Sequence, residues 1–286
     1  MRVIDSLHSI PLCYEDGLFS LNRWRHYMQN VYPAAIELIE KDSACYDFQR
    51  DVLPVLNAAA NQSEKLTQLQ LSFQSAVVHL DEAIWQYFHT AIDADIVLYL
   101  GLCNGAGWAA TVNGKPVVLL GIEKIIELNW YDEKSMIALL YHELGHLWHH
   151  QERKLIWGGE TAEEKALWQL YSEGIAMFFE QTLCQNETFF HQDQDGWLNW
   201  CTQNQTRLFA EYIRRIEHNE SIQHFFGDWF RIEGHTDVGY FLGAALIRTA
   251  LKEYAIDELP HLSLPDIKRL LYLCIKKIKQ GTRVLL

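Results

Sequence analysis

The stretch Met136-Ile137-Ala138-Leu139-Leu140-Tyr141-His142-Glu143-Leu144-Gly145-His146-Leu147-Trp148 organises the reading of the whole chain. Met136, Ile137, Leu140, Leu144 and Leu147 recur at three- and four-residue spacing, the period of a helix with one apolar face. The spacing predicts a helix over about 133–151. His142 and His146 stand four residues apart, so on a helix of about 3.6 residues per turn they point only about 40° apart. Two imidazoles placed so can reach one cation at about 2.0–2.1 Å. Glu143 projects about 100° round from His142. That suits a carboxylate holding a water beside the cation and does not suit a third ligand. The bland alternative is an amphipathic helix whose two half-buried histidines bond to carbonyls.

Working upstream, the period changes. Ile96-Val97-Leu98-Tyr99-Leu100 is a short apolar run of strand type. Ala109-Ala110-Thr111-Val112 and Lys115-Pro116-Val117-Val118-Leu119-Leu120 flank Asn113-Gly114, the pair that best tolerates the positive φ angles of a two-residue hairpin turn. Pro116 implies that its strand is an edge or begins there. Residues 95–122 are therefore expected to form a small sheet. Residues 1–94 read as a mostly helical arm punctuated by Pro33 and Pro54. Its long periodic stretch after Ser63 runs through Leu66, Leu69, Phe73, Val77, Leu80, Ile84, Tyr87 and Phe88. Downstream, Thr161 and Glu164 make a capping-box pattern that starts a helix. Further helices are expected at about 196–218, 238–255 and 265–279, the last with Pro265 in its first turn. The fold class is α+β: a helical region over 1–94 and a catalytic domain over 95–286, which may form one continuous unit.

Composition narrows the partners. The 286 residues are 49% hydrophobic and 21% charged, which excludes a disordered chain. With 37 acidic against 24 basic residues the formal charge is -13, a field that repels a phosphate backbone, so no nucleic-acid partner is expected. The six cysteines are scattered without a C-x-x-C pair, arguing against a disulfide framework or a cysteine zinc knuckle. No apolar run reaches the ~18–20 residues of a membrane span, and the first residues lack an apolar signal core. The expectation is a cytoplasmic protein with no membrane partner. Nucleotide-binding glycine loops and a serine-hydrolase elbow are absent from the sequence.

A catalytic zinc site takes three protein ligands and leaves a position for water. The best third ligand is Glu173, in Leu170-Tyr171-Ser172-Glu173-Gly174-Ile175-Ala176-Met177-Phe178-Phe179, because a carboxylate in an apolar helix is costly unless something positive neutralises it. Pairing with a buried Arg or Lys would serve as well. Gly174 costs about 1 kcal/mol against Ala inside a helix, a cost that close approach to the His142–His146 helix would justify. Rivals are Glu152, Glu160, Glu163, Glu164 and Asp237.

His142-Glu143-Leu144-Gly145-His146, followed 27 residues later by Glu173-Gly174-Ile175-Ala176, resembles the gluzincin side of the H-E-x-x-H metallopeptidases. Gly239-Tyr240-Phe241-Leu242-Gly243 is similar to the G-Y-x-x-G element of an uncharacterised bacterial group of predicted zinc-dependent proteases. The resemblance covers about residues 95–255. It implies a zincin-type fold, with a small sheet above the active-site helix whose edge strand binds extended peptide, and a helical lower half. It departs from the family at Met177, where many gluzincins carry an Asp that orients a ligating His. The aminopeptidase G-x-M-x-N element has no match, Asn104-Gly105-Ala106-Gly107 being only superficially similar, so exopeptidase specificity is not implied.

The resulting expectation is a zinc-dependent peptidase acting on peptide or protein. Zn2+ would be held by His142, His146 and Glu173, with Glu143 as general base and Tyr240 and His235 as candidate oxyanion donors. A hydrolase for a non-peptide or single-partner substrate, and a helical binding protein with an idle motif, are the alternatives. Tyr171 is expected to pack. His149 is expected to be solvated or to support the ligands from behind. Trp148, Trp157 and Trp168 should line core or cleft, and Lys276, Lys277, Lys279 and Arg283 should form a solvated helix end.

Overall fold

Strand propensity and burial meet first in the run that begins at Asp95. In the computed structural model, which describes residues 1–154, 159–227 and 230–280, the chain divides into two units, residues 1–147 and 148–286. In the first unit the strands are β1 (Arg2–Asp5), β2 (Tyr14–Glu15), β3 (Leu18–Phe19), β4 (Asp95–Tyr99), β5 (Gly107–Val112) and β6 (Lys115–Gly121). The helices are α1 (Leu21–Val31), α2 (Ile36–Ser43), α3 (Leu53–Ala60), α4 (Ser63–Ala76), α5 (Leu80–Phe88), α6 (Ile122–Leu128) and α7 (Glu133–Arg153). The division of the chain falls inside α7, which runs unbroken through it.

Four strands form one mixed sheet in the order β1-β4-β6-β5. Every residue of β4 is buried, as expected for a strand with parallel partners on both sides and both faces covered. β4 pairs parallel with β1 and with β6, whereas β5 returns antiparallel from β6. The hairpin is the expected one: Val112 faces Lys115 across Asn113 and Gly114, whose φ angles are 50° and 80°, the paired positive values of a type I′ turn. Pro116 lies just before the β4 ladder, which begins at Val117 opposite Asp95. β6 is therefore interior to the sheet and the proline marks where it begins.

Two expectations for residues 1–94 change. The region is not an appended helical arm, because its first residues supply an edge of the sheet: Arg2 to Asp5 align with Asp95 to Leu98. The Arg2 guanidinium also pairs with the Asp95 carboxylate at 3.0 Å. Accordingly, the chain does not divide at 94. The long helix expected after Ser63 is broken at Val77-Val78-His79. Adjacent β-branched residues are poor helix formers, and Asp81 and Glu82 favour a fresh helix N-terminus there.

The second unit contains α8 (Ala162–Leu183), α9 (Trp197–Glu217), α10 (Val238–Ala250) and α11 (Leu264–Lys279). Capping boxes start two of them, Thr161 with Glu164 at α8 and Ser263 with Asp266 at α11. α10 is apolar nearly all round, with Phe241, Leu242, Ala245, Leu246 and Ile247 fully buried, the signature of a central helix. It ends at Ala250 rather than 255, where the amides of Glu253 and Tyr254 both close on the Ala250 carbonyl. Lys276, Lys277 and Lys279 occupy the last turn of α11. Trp157 and Arg283 lie outside the described residues. Helices dominate the α+β fold, and among the described residues no helix is long and apolar enough to cross a membrane.

Candidate metal centre

α7 carries His142, Glu143 and His146 as the periodicity requires. The two imidazole rings lie 5.0 Å apart between centroids and nearly perpendicular, at 82°. His142 and Glu143 are buried and His146 is half-buried. Glu173, half-buried on α8, completes the group. One donor atom each from His142, His146 and Glu173 lies within 4.8 Å of the others. A tetrahedral ion with bonds of about 2.1 Å holds its donors about 3.4 Å apart. Two neutral imidazoles and one carboxylate are a donor set that suits a divalent transition ion.

None of the rival carboxylates belongs to this group among the described residues. Glu164 is occupied in its capping box, where the amides of Thr161 and Glu160 hold its carboxyl below the ordinary value. Glu163 pairs with Lys268. Asp237 accepts the Gly227 amide at 2.7 Å.

The last turn of α7 meets α8 through an aromatic cluster. His149 is fully buried, stacked on Trp168 at 5.1 Å and edge-on to Tyr171 at 5.0 Å. It is therefore not solvated: the helix that carries the ligands turns this ring inward against α8, with the Arg153 guanidinium 4.8 Å from the Trp168 ring centre. Trp148 packs on Phe179. Tyr171 packs as expected, its hydroxyl donating to the Leu259 carbonyl, and burial pushes its pKa upward.

Gly174 meets another backbone, and the nearest is that of α10. A Cβ there would stand 2.5 Å from the Gly243 carbonyl oxygen and 2.8 Å from the Gly243 carbonyl carbon. The close crossing is therefore between α8 and α10, and Gly243 is its other half. It seats the residue next to Glu173 directly against a neighbouring helix. Met177 is buried, as its apolar side chain dictates.

The two oxyanion candidates each pack against another aromatic ring. His235 stacks on Trp200, with centroids 4.0 Å apart and planes at 23°, and its backbone bridges to Ile232. Tyr240, in the first turn of α10, packs edge-on to Phe226 at 5.8 Å.

Three residues whose contacts bear on the site or on the strand beside it carried no signal that singled them out. Gly107, the first residue of β5, lies against the Glu143 side chain. Fully buried Glu123 accepts the amides of Gly101 at 2.7 Å and Cys103 at 2.9 Å, while burial raises its pKa. Tyr212 donates to the Ala166 carbonyl, and burial, then the charge of Glu173, holds its phenol well above the usual value.

The chain matches no family model, no curated protein and no solved structure.

Proposed function

We propose that the protein is a zinc-dependent metallohydrolase, and specifically a peptidase acting on peptide or protein. The observation that supports this reading is the grouping of His142, His146 and Glu173 within 4.8 Å, with a buried Glu143 adjoining the first ligand. Three nitrogen and oxygen donors are the usual complement of a catalytic zinc, which keeps a fourth position for water, whereas structural sites are closed by four. Zinc held there supplies Lewis acidity, polarising a carbonyl and making water acidic enough to attack near neutral pH.

The chain's own residues do the rest. The imidazoles of His142 and His146 and the Glu173 carboxylate would hold the cation. Glu143, one residue from a ligand, takes a proton from the attacking water and returns it to the leaving amine. Its burial excludes bulk water from that transfer. The edge strand β5, antiparallel to β6 and unpaired on its other side among the described residues, offers backbone groups to an extended substrate. Tyr240, with His235 as the second candidate, donates to the developing oxyanion.

A digest of a broad peptide library by zinc-loaded protein tests this reading. Cleavage by the wild type, with a loss of about 10²-fold or more in Glu143→Gln at unchanged zinc content, is expected. An active Glu143→Gln protein removes Glu143 from the mechanism. A wild type that holds stoichiometric zinc but cleaves no peptide limits the reading to another substrate. Protein purified without added zinc that carries less than about a tenth of an equivalent favours a binding protein with an idle motif.

A further inference from the structure

Gly107 opens the edge strand, and the place of its missing side chain is taken. A Cβ built on Gly107 would stand 2.5 Å from Oε1 and 2.7 Å from Cγ of Glu143, and 2.8 Å from Cδ1 of Leu139. Gly107 is not among the residues with positive φ, so its backbone conformation suits any amino acid. Space, not torsion, requires the glycine. The segment leading to it is held firmly. Glu123 receives the amides of Gly101 and Cys103. The Asn104 side chain donates to Asp42 at 2.8 Å and to the Ile39 carbonyl at 3.0 Å. The Gly121 amide donates to the Ala106 carbonyl at 3.0 Å, and Gly107 then enters the ladder opposite Leu120.

We propose that Gly107 is a positioning residue for Glu143: the strand leaves a Cβ-sized space that the Glu143 side chain fills, and Glu123 pins the loop that carries this space into place. The role assigned to that carboxylate rests on the hydrolase reading; the positioning itself does not. An alanine at 107 meets Oε1 and Cγ of Glu143 and Cδ1 of Leu139, all side-chain atoms, so the Glu143 carboxylate turns away while the strand stays.

The test is the pair of zinc-loaded crystal structures of wild type and Gly107→Ala, with zinc content, kcat and KM on a peptide found by the library digest. The expected result is a Glu143 carboxylate rotated off β5, unchanged zinc content, and kcat lowered about 10²-fold with KM within about twofold. Glu123→Gln, which turns one acceptor into a donor facing an amide, is the second variant should the alanine protein not fold. It is expected to displace the 101–107 segment and lower kcat while zinc is retained. A carboxylate in its wild-type place in Gly107→Ala, or an unchanged kcat, overturns the proposal. A zinc-bound wild type that cleaves nothing sinks the peptidase reading alone, and the two crystal structures still decide the positioning.

Discussion

Replacing Gly174 by alanine sets two physical effects against each other with opposite signs. In a helix interior alanine is favoured over glycine by about 1 kcal/mol, so helix propensity alone predicts a more stable protein. The crossing of α8 and α10 predicts the reverse. The new Cβ would lie 2.5 Å from the Gly243 carbonyl oxygen, 2.8 Å from its carbonyl carbon and 2.9 Å from Cγ1 of Ile247. The first contact is about 0.9 Å short of the 3.4 Å at which ordinary contact begins. Ile247 can change rotamer, but the Gly243 backbone cannot turn aside, so the helices must part along a buried face. Overpacking of this kind costs about 1–3 kcal/mol, and a backbone obstacle belongs at the upper end. The net expectation is destabilisation by about 2 kcal/mol, a fall in Tm of roughly 5 °C. Thermal unfolding of metal-stripped wild type and Gly174→Ala measures it without the added stability of bound zinc. Zinc titration of the same variant should show weaker binding, because Glu173 moves with its neighbour. A higher Tm for the alanine protein would refute the crossing as the reason for the glycine.

Two further outcomes follow from the same geometry. Glu173→Ala should lower zinc affinity by at least about tenfold, read by metal competition with a chromophoric chelator; unchanged affinity would pass the ligand role to another carboxylate. Hydrogen bonds from Arg214, then from Arg215, hold the Glu211 carboxyl down from 4.5 to about 2. A depressed folded-state value stabilises at pH above the unfolded value and is lost as pH falls through the folded one. Wild type should therefore exceed Glu211→Gln in stability at neutral pH, with the difference fading between about 4.5 and about 2. Chemical denaturation across that range checks the sign, and a difference that grows towards acid contradicts it.

What the sequence disclosed was local. The α7 helix, the Asn113-Gly114 hairpin and the Thr161 capping box each depend on residues within a few positions of one another, and each stands where the spacing puts it. The grouping of Glu173 with two histidines 27 or more residues away was reachable because a carboxylate amid apolar helix residues needs a reason. Elements whose cause is distant were not legible. β1 has only Val3 and Ile4 as apolar residues, and its outer half is exposed; it becomes a strand through the ladder that β4 offers. His149 looks like any polar residue late in a helix until Trp168 and Tyr171 fold over it. The partner of Gly174 proved to be α10, because a glycine states that something comes close without saying what. Gly107 concealed its purpose equally well, since the atoms filling its space belong to a residue 36 positions later.

The ladder between β1 and β4 also sets an order of events in folding. Arg2 and its partner Asp95 lie more than ninety residues apart in the chain. Closing so long a loop is entropically expensive until other contacts have shortened it. β1 therefore pairs only after contacts among the intervening helices have shortened that loop, and the sheet is completed at this edge late.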